Sequence, residues 1–263
     1  MDLGLKDKIA FVAGASKGLA AATARQLARE GARVAINSRD AARLNAAADS
    51  IRAETGAQVI ALAGDVAVAA DVERLIGETA RHFGGLDIVI TNSGGPPPGR
   101  FDELSDEAWL QSVDLLLMSN VRFIRAALPH LRRSSSAAVL NFNSYSVKQP
   151  LPNLLLSNSI RLAVVGLVKS LALELGNEGI RFNAILPAFT DTERVRQLLT
   201  DRAKRNGATL EEEVKKQSAV SPFGRMGTPQ EFANVATFLC SPAASYVTGV
   251  TLTVDGGMYK GMV

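Results

Sequence analysis

The chain has 263 residues, 47% hydrophobic and 21% charged, which excludes an intrinsically disordered polymer and supplies a full core. At this length folding buries roughly 70–75% of the extended chain's surface, so no staple is needed, and Cys240 with only His82 and His130 makes neither a disulfide nor a Cys/His zinc site. The formal net charge of +3 is spread without a basic run, which argues against nucleic acid and leaves room for a small anionic ligand. In chain order, the N-terminal MDLGLKDKIAFVAG has an acid at position 2 and no basic, apolar and cleavage regions in series, so no signal peptide is expected. No membrane-spanning segment is expected either, because Lys169 and Glu174 interrupt the longest apolar stretch, 162–175. These two readings together predict a cytoplasmic protein.

Residues 9–13, 33–37, 58–63, 87–91, 138–142 and 181–186 are short apolar runs that read as buried strands. Between them lie stretches long enough for crossover helices: Val72, Leu75, Ile76, Thr79 and Phe83 repeat on one helical face, as do Val164, Leu167, Val168, Leu171 and Leu175. Alternation of this kind predicts a single α/β domain, a doubly wound parallel sheet between two helical layers, with its ligand crevice at the carboxyl ends of the strands. Residues 94–99, Gly-Gly-Pro-Pro-Pro-Gly, read as a rim loop. The polar, helix-prone stretch 190–221 reads either as a substrate lid or as a solvated helix without substrate contact.

The first strand runs into Ala13-Gly14-Ala15-Ser16-Lys17-Gly18-Leu19-Ala20, which opens an Ala-rich helix. A strand, Gly turn and helix of this form lets backbone approach a pyrophosphate and points unpaired N–H groups at its charge. Gly14, Ser16, Lys17, Gly18 and Leu19 are therefore candidate dinucleotide contacts. Asp65 is expected to end the third strand, where, with Val66 beside it, it is placed to meet the adenine edge, the alternative for Asp65 being a helix N-cap. After the second strand, where an acid would bind a ribose 2′-hydroxyl, stands Asn37-Ser38-Arg39. Arg39 and Lys17 are expected to share one 2′-phosphate, so NADP(H) is preferred to NAD(H).

These residues resemble the classical short-chain dehydrogenase/reductase family over essentially the whole chain. Ala13, Gly14, Gly18 and Ala20 are similar to its glycine motif, and Thr91, Asn92, Ser93 and Gly94 to its Asn-Asn-Ala-Gly. The run 183–188 resembles the segment beside the nicotinamide, and 247–257 the last strand and its ending. The resemblance implies a Rossmann-type fold, with Asn92, Ser93, Gly94, Pro187 and Thr192 at the coenzyme, Thr192 on its carboxamide. It also implies a homodimer or homotetramer built through long helices on the sheet's flank, including 151–176.

The family's catalytic Ser resembles Ser144, but its Tyr thirteen residues later falls on Ser157 and its Lys four beyond that on Arg161. Its additional Asn falls on Leu116, seven after Trp109. An aliphatic hydroxyl titrates far above a phenol, so Ser157 is a poor general acid, while Arg161 remains able to hold the nicotinamide ribose. Tyr145, with Lys148 near it, is the candidate displaced phenol; the alternative is a capping Tyr and a solvent-facing Lys. Asn143 and Asn158 can polarise a carbonyl but supply no proton at neutral pH. The site candidates are thus Ser144, Tyr145, Ser157 and Arg161, with no metal. Two readings stand: an NADP(H)-dependent oxidoreductase on a carbonyl or alcohol, 3-oxoacyl-like compounds among the options, and a catalytically silent dinucleotide-binding protein. A lyase in the same crevice ranks below both, for want of a base.

Overall fold

The computed structural model describes residues 1–262. Seven parallel strands form one sheet: β1 (Ile9–Val12), β2 (Arg33–Ser38), β3 (Val59–Ala63), β4 (Ile88–Thr91), β5 (Ala138–Phe142), β6 (Arg181–Pro187) and β7 (Thr251–Val254), in the order β3-β2-β1-β4-β5-β6-β7. β1, β4 and β5 are buried along their whole length, as strands covered on both faces must be. One layer holds α1 (Gly18–Arg29) and α2 (Ala41–Thr55) with α9 (Pro229–Cys240), whose Phe232 and Ala236 share a core with Ala20, Ala24 and Leu27 of α1. On the other face lie α3 (Ala69–Phe83), α4 (Asp106–Val113), α5 (Ser119–Leu131) and α6 (Leu155–Glu174). The strand order reverses between β1 and β4, which opens the crevice beyond their carboxyl ends.

Three expectations change in detail. β3 stops at Ala63, two residues short of Asp65, because the Arg74 guanidinium takes the Ala63 carbonyl and ends the ladder. The stretch 190–221 is not one solvated helix. It folds as α7 (Glu193–Asn206) and α8 (Leu210–Ser218), with Leu199, Ala203, Glu213 and Gln217 buried between them. Glu213 has its carboxylate satisfied inside this hairpin by Asn206 and Lys216, both 3.1 Å away, and these bonds hold its pKa below the usual carboxylate range.

The third concerns the membrane. α6 is by length and composition apolar enough to cross a bilayer, because one spanning window tolerates the charges that interrupt the run. Its packing accounts for the apolar content differently: Val164, Val168 and Ala172 belong to the core under β5 and β6. The opposite face, with Leu162 54% and Leu173 76% exposed, is bare.

Candidate functional site

The coenzyme end is built by the turn after β1. Gly14 sits at φ +64°, and a Cβ there would stand 2.6 Å from Asn92 Nδ2, so only glycine lets the turn lie against β4. Asn92 fixes the contact by donating to the Ala13 carbonyl at 3.3 Å. Lys17 is the extended N-cap of α1, gives no side-chain cap, and no acid stands in the helix's first turn. The first amides of α1 therefore face outward without a protein partner at the end of the helix that favours an anion. A pyrophosphate fits this cradle. Beside it lies an open cavity of about 500 Å³, bordered by Ser16, Lys17, Gly18, Arg25, Arg43 and Thr192.

The two expected phosphate ligands are not left bare for a shared ligand. Lys17 pairs with Glu193 at the start of α7, at 3.0 Å, and Arg39 lies 3.7 Å from Asp65. Cations without a phosphate take the nearest carboxylate, and exposed pairs of this kind are worth only about 0–1 kcal/mol, little for an incoming anion to displace. Arg43, absent from the sequence reading, borders the same cavity as Lys17 from the first turn of α2; the clue was its place four residues after Arg39. Asp65 also caps a turn, accepting from the Ala67 amide at 3.0 Å across Val66, while the N-cap of α3 is Val68. The Thr192 hydroxyl N-caps α7 by accepting from Val195 at 3.3 Å. Pro187 closes β6, and the Ser93 hydroxyl donates to the Gly94 carbonyl.

At the other end, Ser144 follows β5 and its Oγ accepts from the Ser146 amide at 3.2 Å, which leaves its own hydrogen free to donate. Beneath it runs a buried ladder of amides that the sequence reading missed. Asn141 Nδ2 donates to Asn120 Oδ1 and to Thr91 Oγ1, and Asn143 Nδ2 donates to Asn141 Oδ1 and to the Arg161 carbonyl. Asn120 in turn donates to the carbonyl of Leu116, which lies in the π-helical segment Asp114–Met118 joining α4 to α5. This ladder fixes the end of β5 relative to α5 and α6.

Two expectations fail here for the same reason, that the groups are already committed. Asn143 is spent in the ladder, and its Oδ1 accepts from the Ser144 amide. Asn158 clasps the backbone of Leu151 through both its oxygen and one of its two N–H donors, which turns its amide toward that loop. Tyr145 is buried in a short 3-10 turn, and its expected cation is elsewhere: Lys148 Nζ lies over the ring of Tyr259 at 5.2 Å. Burial pushes the phenol above its ordinary value, Asp255 pushes it further, and Arg202 opposes them. The shift runs away from neutrality, opposite to that of a tuned acid.

Ser157 and Arg161 do meet. Arg161 Nε donates to Ser157 Oγ at 3.2 Å, one turn apart on α6, so the Ser157 hydrogen is directed away from the guanidinium. Burial lowers Arg161 to about 10, which leaves it charged at neutral pH. The rim loop is tied to this corner, since the Gly99 amide donates to the Asn153 carbonyl just before α6. A hydroxyl and a guanidinium thus meet near the start of α6, and the Asn143 bond to the Arg161 carbonyl ties this turn to the end of β5 that leads into Ser144.

Residues 14–259 match the family model described as enoyl-(acyl carrier protein) reductase. The chain belongs to the short-chain dehydrogenase/reductase family. Members are NAD(P)-dependent oxidoreductases of carbonyl and alcohol groups, and this chain is an oxidoreductase of that kind. It is 31% identical over 254 residues to the cattle (Bos taurus) dehydrogenase/reductase SDR family member 4, covering 96% of this chain and 88% of that protein. It is 33% identical to the 3-oxoacyl-[acyl-carrier-protein] reductase FabG of Staphylococcus aureus, over 96% and 98%. Among solved structures, L-sorbose reductase of Gluconobacter frateurii, complexed with NADPH and L-sorbose, superposes with a TM-score of 0.95 at 32% identity over all of both chains. An NADPH-bound short-chain oxidoreductase of Pseudomonas aeruginosa, described as containing an atypical catalytic center, reaches 0.87 at 32% identity over 97% and 99%.

Proposed function

We propose that this protein is an NADP(H)-dependent reductase of a carbonyl compound, working with a non-standard proton-transfer group. The observation that carries the reading is the uncapped start of α1 opening on a groove bordered by Lys17, Arg25 and Arg43. Gly14, Ser16, Gly18 and Leu19 would hold the pyrophosphate, Lys17 and Arg39 the 2′-phosphate, and Asp65 and Val66 the adenine. Asn92, Ser93, Gly94, Pro187, Thr192 and Arg161 would hold the nicotinamide half. Bound there, the coenzyme supplies a hydride at its nicotinamide C4. Ser144 and Ser157 each have a hydrogen to give the carbonyl oxygen, and the fixed charge of Arg161 favours the negative charge that develops on it. No phenol stands in the family's Tyr position, so the proton comes from water through these hydroxyls. NADPH complexes among the related structures support the coenzyme assignment.

Tyr145→Phe is expected to retain at least half of the wild-type turnover on a panel of ketones and aldehydes with NADPH, because the buried phenol is pushed away from neutral pH. A loss of about tenfold or more, in the range that general acids supply, would move the proton transfer to Tyr145. That same burial is the observation favouring the second reading, a catalytically silent dinucleotide-binding protein. NADPH bound tightly with no turnover across the panel would select it.

The bare face of α6 suits a second copy of the chain, and a homodimer or homotetramer is part of this reading, as is a cytoplasmic location.

A further inference from the structure

Burial pulls down the guanidinium of two arginines, and their surroundings are unlike. Arg181 of β6 donates to four backbone carbonyls, those of Leu239, Cys240, Ser241 and Val247, as a structural arginine should. Among the described residues Arg161 has one side-chain partner, the Ser157 hydroxyl, and no carboxylate. Its terminal nitrogens are not among the sealed, unsatisfied atoms of the interior, so the residue's remaining exposure includes its fork. A guanidinium withdrawn from water without a counter-ion is costly unless a ligand brings one. The ribose hydroxyls expected at this position are neutral and leave the charge unmatched.

A second unspent cation stands at the rim loop. Arg194, in the first turn of α7, has no hydrogen bond or ion pair among the described residues, while its neighbours do: Glu193 pairs with Lys17 and Arg196 with Asp191. A Cβ at Gly95, in the rim loop, would stand 4.0 Å from Arg194 Nη2. That loop ends on Asn153, one turn before Ser157, and Asn143 links the Arg161 carbonyl to the residue preceding Ser144. The nearby acids are already committed: Glu193 and Asp191 to their cations, and Asp255 to the amides of Gly257 and Tyr259.

We propose that the substrate brings the missing charge: it is an oxo acid whose carboxylate takes the Arg161 fork while its ketone oxygen meets Ser144, with Arg194 closing over the same anion from the lid. This rests on the reductase reading. The reaction consumes one NADPH and one proton from water and turns the ketone into a hydroxy acid; both arginines stay protonated throughout. The pyrophosphate of the coenzyme is the other anion within the chemistry of Arg194, and the experiment separates the two.

The dissociation constant of NADPH is measured first by fluorescence for wild type, Arg161→Met, Arg161→Lys and Arg194→Gln. Then kcat/KM is compared for 2-oxo and 3-oxo acids of four to eight carbons against their methyl esters. Where turnover is too slow to follow, the change in bound-NADPH fluorescence on adding acid or ester replaces it. The expected result is an acid-over-ester preference of a hundredfold or more in wild type. Arg194→Gln lowers the preference about tenfold with NADPH affinity within threefold, while Arg161→Met removes the preference, whatever it also costs in NADPH affinity, and Arg161→Lys keeps part of it. Equal use of acid and ester by an NADPH-binding wild type overturns the inference. So does an Arg161→Met that weakens NADPH and both substrate forms alike, which would leave the arginine to the ribose, or an Arg194→Gln that weakens NADPH with the preference intact, which would assign Arg194 to the pyrophosphate. A wild type that binds no NADPH removes the reductase reading itself, at a step before any substrate is added.

Discussion

Gly14→Val is expected to raise the dissociation constant for NADPH by about a hundredfold and to lower the melting temperature by several degrees. Two separate penalties add at this position. The backbone is left-handed at φ +64°, where an L-residue pays about 1–2 kcal/mol and a β-branched one more. The new Cβ would also stand 2.6 Å from Asn92 Nδ2, so the Asn92 bond to the Ala13 carbonyl breaks and the turn lifts from β4. Gly18→Ala is the control, because Gly18 shares the conformation at φ +65° but has nothing within 4 Å of a Cβ. It should show the strain without the displacement: a melting shift of about 2–8 °C for 1–2 kcal/mol in a chain of this size, with a smaller loss of affinity. Fluorescence titration and calorimetry read both effects, and a Gly14→Val protein with wild-type affinity would show that the coenzyme is held elsewhere.

Arg39→Asp is expected to invert coenzyme choice. A charge-assisted hydrogen bond is worth about 1.5–3 kcal/mol, so wild type should bind NADPH about 10–150 times more tightly than NADH if Arg39 engages the extra phosphate. The substitution removes that bond, sets a carboxylate against the phosphate, and gives the ribose 2′-hydroxyl of NADH an acceptor. Arg43→Ala should reduce NADPH affinity less, since a neutral side chain sets no carboxylate against the phosphate. Equal wild-type affinities for the two coenzymes would remove the roles given to Lys17 and Arg39.

The layout of the sheet was legible because continuous apolar runs such as Ile-Ala-Phe-Val and Ile-Val-Ile-Thr have no place to go but a doubly covered strand. The Gly turn was legible for a comparable reason, since few residues accept its backbone. The partners of charged side chains were not. Lys17 caps the first helix and Glu193 opens the seventh, and nothing local announces that the α7–α8 hairpin meets the Gly turn. Polarity also misled in one direction: Glu213 and Gln217 look like solvated helix residues, yet they fill the interior of that hairpin. Asn120 and Asn141 interrupt apolar patterns and draw no attention singly, and Asn143 drew it for a different role, that of polarising a carbonyl. Only the folded chain stacks them into one ladder under Ser144. The tyrosine next to that serine looked like a displaced acid because sequence gives adjacency without direction.

The solitary thiol has a practical side. Cys240 is buried on α9, and desolvation pushes it up to about 12, so in the folded protein it offers almost no thiolate to an alkylating dye. A cysteine placed on the outer surface of the lid, at Leu198→Cys for instance, would be the one labelled position in an otherwise untouched chain. A single reporter there tests whether the hairpin shifts when coenzyme is added, without first stripping the protein of competing sulfhydryls.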